Sequence, residues 1–94
     1  MRLRFTETAS NDLDTIVAFI TTHYPGIVIA FEQRLRQSLA RIERWPAGAQ
    51  RAASRTDVRV VPLIRYPYKI FYRIGPDVVD ILHIHYAARQ EPQV

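Results

Sequence analysis

Cysteine is absent from this 94-residue chain, and glycine occurs only three times. Without cysteine there is no disulfide framework, no thiolate ligand for zinc or an iron–sulfur cluster, and no thiol nucleophile. This absence is consistent with a reducing compartment. The glycines at positions 26, 48 and 75 match neither the G-x-G-x-x-G pattern nor a phosphate-binding loop. We therefore expect neither redox chemistry nor a nucleotide, and predict a protein without cofactors.

Long apolar runs are also missing. The longest, Ile16–Ile20 and Ile27–Phe31, contain five residues each, whereas a helix needs about 20 residues to cross a bilayer. The first five residues alternate between polar and apolar side chains, unlike the apolar segment of a secretory signal. These features predict a cytoplasmic protein with no membrane partner.

Lysine is nearly absent although the chain is basic. Of the 13 lysine and arginine residues only Lys69 is a lysine, and the net charge is +4. Arginine pairs with carboxylates and phosphates through two parallel hydrogen bonds, so this surface suits an acidic partner, either protein or nucleic acid. A solvated surface biased toward arginine by a GC-rich genome explains the composition equally well. With 48% hydrophobic and 23% charged residues, the chain has an ordinary globular composition, which predicts one domain over residues 1–94.

Two amphipathic helices are predicted in the first half of the chain. Thr6 offers an N-cap hydroxyl, and the first helix is expected from Glu7 to Tyr24 because the following proline disfavours helical geometry there. The second helix is expected to end near Arg44, and a Pro-Gly turn joins the two into an antiparallel hairpin. The apolar stripes that the hairpin should bury are Leu13, Ile16, Val17, Ile20 and Tyr24, followed by Val28, Phe31, Leu35, Leu39, Ile42 and Trp45.

Strands are predicted on both sides of this hairpin. Residues 2–6 alternate as in a short strand with one buried face. Residues 47–57 have no period and are expected to form a flexible loop, after which strands are predicted over Val58–Ile64, Lys69–Ile74 and Val78–Tyr86. Pro62 has no backbone donor, which indicates an edge, a bulge or a non-bonded position. The predicted fold is α+β, in the order β-α-α-β-β-β, with the helical hairpin packed on one face of a curved antiparallel sheet. The other face is expected to be open.

The last predicted strand carries two histidines that share one face. His83 and His85 have a spacing that can bind a metal with a third ligand, but no pair of acidic residues completes such a site, so we predict no metal. Together with Arg65, Arg73 and Arg89 they form a set of cationic and titratable groups. Such a set is chemically able to cleave RNA without a metal, with the 2′-hydroxyl as nucleophile.

The same residues also have a purely structural interpretation. Arg65 and Arg73 would pair across strands with Asp80 or Asp57, and the histidines would lie on a partly solvent-exposed surface of the sheet. Taken one at a time, each residue fits this interpretation better than a catalytic role.

Four stretches of the chain carry a family resemblance. They are residues 8–16, the Trp45-Pro46-x-Gly48 motif, residues 58–74 and residues 81–89. In this order and spacing they resemble the RelE/ParE superfamily of toxins from bacterial type II toxin–antitoxin modules, over nearly the whole chain. The resemblance implies the β-α-α-β-β-β fold. It also implies an acidic, partly disordered antitoxin that folds as helix and strand on the toxin, and hence a hetero-oligomer.

The superfamily contains toxins with two kinds of target, so membership alone does not decide the activity. ParE-like members poison DNA gyrase, whereas RelE-like members cleave mRNA in the ribosomal A site. In RelE-like nucleases lysines alternate along the strand that here contains Val60 and Pro62, which are apolar. Lys69 and Arg89 occupy two other basic positions of that site. Half of the cationic nuclease site is therefore missing.

The resemblance thus predicts a ParE-like toxin that inhibits gyrase by binding, arrests growth and acts in plasmid stabilisation, without catalytic residues of its own. The residues expected to contact antitoxin or target are Arg59, Arg65, Lys69, Arg73 and Arg89. The alternative is an enzyme, a ribosome-dependent mRNA endonuclease, because some such relatives end in His-Tyr. Its catalytic residues would be Lys69, Arg73, His85, Tyr86 and Arg89. A third possibility is a non-toxic remnant that only binds the antitoxin and co-represses a promoter.

Overall fold

The computed structural model describes residues 1–53 and 55–88. The predicted α+β class and the order of the main elements are confirmed. Within the described residues no helix combines the length and apolar character that a membrane span requires. The elements are β1 (Arg2–Phe5), α1 (Glu7–His23), α2 (Val28–Arg44), β2 (Gln50–Arg51), β3 (Arg59–Pro62), β4 (Tyr68–Ile74) and β5 (Val78–Tyr86).

The sheet is mixed rather than antiparallel throughout. Its strand order is β1-β5-β4-β3-β2. β1 runs parallel to β5, with Arg2 opposite Val78, while the other neighbours are antiparallel. Parallel neighbours need a long connection, and here both helices and the strands β2, β3 and β4 lie between β1 and β5 in the chain. The predicted antiparallel arrangement therefore holds for every pair of neighbouring strands except β1 and β5.

The segment expected to be a flexible loop contains ordered structure. Pro46–Gly48 forms a 3₁₀ turn and Gln50–Arg51 forms β2, which pairs with β3. Ala52 is buried, and its backbone N–H donates to the carbonyl of Val58 at 2.7 Å. A strand of two residues shows no period in the sequence, which explains why β2 was not predicted.

Pro62 lies at an exposed edge of the sheet. The N–H of Leu63 donates to Tyr68 of β4 at 2.9 Å, and neighbouring residues of a strand direct their backbone groups to opposite sides. Pro62 is therefore directed away from β4, beyond the end of the short β2. Of the three positions that the sequence allowed, the structure shows the edge.

The helical hairpin covers one face of the sheet and encloses the main core. Phe31 and Ile81 are fully buried there, and the Phe31 ring meets that of Tyr68 edge-on, with centroids 5.9 Å apart. Tyr72 is also buried, and its hydroxyl donates to the carbonyl of Pro46 after α2. Burial raises the pKa of Tyr72, an effect that nearby Arg59 partly offsets.

Thr6 attaches the start of α1 to β5. Its Oγ1 accepts a hydrogen bond from the N–H of Ala9 at 3.1 Å, which confirms the predicted N-cap. The same hydroxyl donates to the carbonyl oxygens of Ile81 and Leu82, at 3.0 and 3.2 Å. The helix begins beside β5 because one side chain satisfies backbone groups of both elements.

Two residues of the predicted apolar stripes are largely exposed. Tyr24 and Trp45 expose 59% and 58% of their surface. Each follows the last residue of its helix, with a φ of −141° for Tyr24 and −132° for Trp45. The helical period no longer directs their side chains once the backbone has left helical geometry.

The sheet face opposite the helices, hereafter the second face, is not fully open as predicted. Ala52, Val58, Phe71 and Leu82 form a small buried cluster on it. Ala52 and Val58 thus supply part of the cover. The register shifts beside Leu82, because Tyr72 lies opposite Ile81 while Phe71 lies opposite His83. This β-bulge adds one residue to β5 and aims Leu82 at the second cluster.

Candidate functional site

Basic and titratable side chains gather on the second face around Phe71. Lys69 and Arg73 flank Phe71 on β4, and alternation along the strand places all three on one face. The register sets Lys69 opposite His85 and Phe71 opposite His83. The His85 ring meets the Phe71 ring edge-on, with centroids 6.2 Å apart. The structure therefore brings together the predicted groups of β4 and β5, including both histidines.

A carboxylate partly neutralises Arg73. Its Nη1 lies 4.0 Å from Oδ2 of Asp57, a carboxylate that Arg55 already binds with hydrogen bonds of 2.9 and 2.7 Å. The side-chain hydrogen bond from Arg55 is the main cause that lowers the pKa of Asp57. The predicted pairing of Arg73 with Asp57 is thus observed. Asp80, the other predicted partner, pairs with Arg4 at 2.8 Å instead.

Lys69 and Arg65 remain available for an external partner. Lys69 is half-buried and Arg65 is exposed, and in the described part of the chain neither forms an ion pair with a carboxylate. Arg65 has a φ of 78°, in the left-handed region, within the turn between β3 and β4. Non-glycine residues adopt this region rarely, and such outliers concentrate at functional positions.

The remaining predicted contact residues do not join this face. Arg59 lies opposite Tyr72, on the helix side, and donates to the carbonyl oxygens of Ala47 and Ala49 at 3.2 and 2.7 Å. It therefore fastens the segment after α2 to the sheet. Arg89 lies outside the described residues.

Tyr86 is separated from the other members of the alternative nuclease site. It lies opposite Tyr68, and the two rings meet edge-on with centroids 5.9 Å apart. Tyr68 belongs to the core beneath the helices, so Tyr86 lies on the helix side, whereas Lys69, Arg73 and His85 lie on the second face. The sheet thus separates Tyr86 from Lys69 and Arg73, although His85 and Tyr86 both line a groove at the end of β5.

The histidine pair does not form a metal site with the described residues. Nδ1 of His83 lies 3.4 Å from Oδ2 of Asp12 on α1. The same oxygen accepts a hydrogen bond of 3.1 Å from the N–H of Ile84, which satisfies a backbone donor beyond the end of β1. Over residues 1–53 and 55–88, no group of three or more histidine and carboxylate side chains is arranged to hold a metal ion.

An open groove of about 800 Å³ lies on the helix side, between α1, the β3–β4 turn and the end of β5. We call it the aromatic groove. Phe19, Tyr24, Ile27 and Tyr86 line it and expose between 39% and 59% of their surface. Arg65 lines it as well. The groove therefore combines exposed apolar side chains with an arginine, as expected for a site that takes an amphipathic peptide.

Sequence reasoning missed most of this groove. The apolar stripe of α1 did not include Phe19, and Tyr24 was expected to be buried. The available signal was the cluster of aromatic residues beside the Pro-Gly turn, because the end of a helix exposes side chains that its period no longer buries. Of the residues that line the groove, only Arg65, His85 and Tyr86 were predicted as site residues.

The comparisons with known proteins agree with this architecture. A family model described as "ParE toxin of type II toxin-antitoxin system, parDE" matches residues 3–91. A protein of Sinorhizobium fredii described as "Putative toxin Y4kP" is 32% identical over 93 residues, which cover 99% of this chain and 95% of that protein.

Two solved structures have the same fold. One, described as "Chromosomal ParDE TA system from P. aeruginosa", has a TM-score of 0.79 and 25% identity, and the match covers 92% of this chain and 95% of that one. The other, the "YoeB/ParE toxin from Agrobacterium tumefaciens", has a TM-score of 0.62 and 13% identity over 92% of this chain and 98% of that one. The latter likeness shows the fold alone. Because the family model matches nearly the whole chain, the protein belongs to the ParE toxin family of type II toxin–antitoxin systems.

Proposed function

We propose that this toxin inhibits DNA gyrase by binding to it, and that an acidic antitoxin neutralises the toxin by occupying the aromatic groove. Membership of the ParE family supports the toxin role. The likeness to a chain described as part of a ParDE system supports an antitoxin partner. Both targets of the superfamily, gyrase and the ribosome, lie in the cytoplasm, where we expect the toxin to act.

The observation that carries the proposal is the composition of the second face. β3 places the apolar Val60 and Pro62 opposite Phe71 and Lys69, at the positions where RelE-like nucleases have lysines. Acid–base catalysis needs titratable groups that converge on one reacting site. Because Tyr86 lies across the sheet, the cations that remain are better suited to binding an anionic surface than to cleaving RNA.

The first experiment identifies the target. The protein is induced without antitoxin, and DNA supercoiling and the SOS response are followed alongside translation and mRNA integrity. We expect early DNA damage, and inhibition of purified gyrase in a supercoiling assay. Codon-positioned mRNA cuts with intact supercoiling would support the nuclease instead, and unimpaired growth would support the remnant.

The predicted contact residues are tested together. Replacing Arg65, Arg73 and Arg89 by alanine should weaken growth arrest or antitoxin binding, because each change removes a cation from a surface that suits an acidic partner. The matched control replaces Arg2, Arg36 and Arg51, which are exposed elsewhere on the molecule. Full toxicity with unchanged antitoxin affinity in the first variant would refute the assignment.

A single substitution at Arg65 tests the antitoxin groove. Asparagine accepts the left-handed backbone geometry of this position more readily than most residues, so Arg65→Asn removes the charge and preserves the turn. A hydrogen bond to a charged group contributes roughly 1.5–3 kcal/mol, which corresponds to an affinity loss of about tenfold or more. Titration calorimetry with the cognate antitoxin measures this loss, and the melting temperature should stay unchanged. Unaltered affinity would remove Arg65 from the interface.

A further inference from the structure

A second concave surface lies between α2, the segment after it, and β3. It encloses about 360 Å³, at the small end of ligand pockets, and shares no lining residue with the aromatic groove. We call it the α2–β3 groove. Arg34 and Arg41 of α2 line it together with Trp45, and Val61 and Ile64 contribute apolar surface. Its size suits one or two anchoring side chains rather than a whole helix.

The charge of the α2–β3 groove has one sign. Arg34 and Arg41 are seven residues apart, so they lie on the same side of α2. None of the described residues that line the groove is acidic. Neither arginine forms an ion pair with a carboxylate of residues 1–53 or 55–88. A concave surface with charges of one sign concentrates its field and attracts groups of the opposite sign.

The apolar part of this groove is unusually exposed. Trp45 exposes 58% of its surface and Ile64 exposes 63%. The guanidinium carbon of Arg44 lies 5.3 Å from the centroid of the Trp45 ring, a cation–π contact that restrains the ring. Tryptophan and arginine are the residue types most enriched at the energetic centres of protein interfaces.

We propose that the α2–β3 groove docks an acidic segment of a partner polypeptide. The segment places an apolar side chain between Trp45 and Ile64, and its carboxylates pair with Arg34 and Arg41. It binds through side chains rather than by adding a strand, because Pro62 offers no N–H at this edge. This binding site is separate from the aromatic groove to which the proposed function assigns the antitoxin, and its occupation requires neither gyrase nor growth arrest.

Two other occupants fit the groove less well. A nucleic acid strand gains little from aliphatic side chains, and its bases stack on several aromatic rings, whereas this groove exposes a single tryptophan. A second copy of the chain carries the same net charge of +4 and is therefore repelled at long range. Charge complementarity favours an acidic peptide over both.

Trp45 is the only tryptophan of the chain, so its fluorescence reports occupancy of the groove. The full-length protein is titrated with a 12-residue peptide of glutamate and leucine that contains no aromatic residue. A twin peptide with lysine in place of glutamate is the control. We expect the acidic peptide alone to shift the Trp45 emission to shorter wavelength, with an affinity that falls as salt is added.

The arginines are tested by charge reversal. R34E/R41E should weaken the binding of the acidic peptide at least tenfold. R2E/R36E makes the same change in net charge at exposed positions outside the groove and should bind like the unmodified protein. If circular dichroism shows that R34E/R41E unfolds, R34Q/R41Q removes the charges without reversing them and should still weaken binding about tenfold.

Several results would overturn the proposal. They are an emission that does not respond to the acidic peptide, an equal response to the lysine peptide, and full binding by the folded arginine variant. A shift that grows with protein concentration alone would assign the groove to a second copy. A shift with a DNA oligonucleotide but not with the peptide would assign it to nucleic acid. All of these readouts are independent of gyrase inhibition.

Discussion

The two faces of the sheet differ in what covers them and in what they carry. Among the residues that the structure describes, the helix side buries thirteen in one cluster, whereas the second face buries four. The larger cluster provides most of the apolar burial that stabilises the fold. Because fewer apolar side chains cover the second face, it also carries Lys69, Arg73 and the two histidines beside Phe71. The helix side thus provides most of the stability, and the second face carries the cationic and titratable groups.

The largest effect expected from this division is on the helix side. Phe31 is fully buried beneath the hairpin, so Phe31→Ala leaves a cavity that costs about 4 kcal/mol. Since small domains have a free energy of unfolding of roughly 5–15 kcal/mol, this variant should be close to unfolded. Urea denaturation followed by circular dichroism measures the loss. A loss below about 1 kcal/mol would contradict the assignment of the main core.

The matching substitution on the second face should cost less. Leu82 is 9% exposed and belongs to the smaller cluster, so Leu82→Ala should lower the free energy of unfolding by about 2 kcal/mol. The same urea experiment checks this value. If Leu82→Ala cost as much as Phe31→Ala, the second face would be as important for stability as the first, and the comparison would fail.

Tyr72 sharpens the comparison at alkaline pH. Tyr72→Phe removes the hydrogen bond to Pro46 and should cost about 1 kcal/mol. Burial raises the pKa of the Tyr72 phenol above its ordinary value of 10.0. The neutral hydroxyl therefore stabilises the fold below pH 10, and this contribution is lost as the pH rises through the raised pKa. Melting temperatures from pH 8 upward should fall less steeply in the phenylalanine variant, and parallel curves would contradict the expectation.

The smallest effect should come from the charges of the second face. The hydrogen bond from Arg55 lowers the pKa of Asp57 below its ordinary value of 3.8. The ionised carboxylate stabilises the fold above that value, and this contribution is lost as the pH falls through the lowered pKa. In the Asp57→Asn variant, the free energy of unfolding should therefore decrease slightly less as the pH is lowered through the acid range than in the unmodified protein. Because Arg55 and Asp57 are exposed, a large change would show that this pair has a greater role than a surface contact.

The regular elements could be predicted because their patterns are local. Thr6 and the proline after Tyr24 define the ends of α1, and the predicted bounds of β5, Val78–Tyr86, are those of the structure. β2 was missed because its two residues have no period, and the bulge at Leu82 because a single extra residue leaves no signature. Features that depend on a neighbouring strand are absent from any local pattern.

The candidate site was predicted less completely for the same reason. Lys69, Arg73 and the histidines share a face because alternation along β4 and β5 places them there. Arg59 and Tyr86 were grouped with them by residue type, but the sheet places both on its helix side. The α2–β3 groove was not predicted, since it depends on Trp45 turning outward where α2 ends.

The pairing of β1 with β5 has a consequence for synthesis. Arg2 to Phe5 find their partners only in Val78 to Ile81, so β1 cannot join the sheet until the ribosome has made almost the entire protein. Contacts this distant along the chain form late in folding. The five-stranded sheet can therefore be completed only after the last strand of the chain has been synthesised.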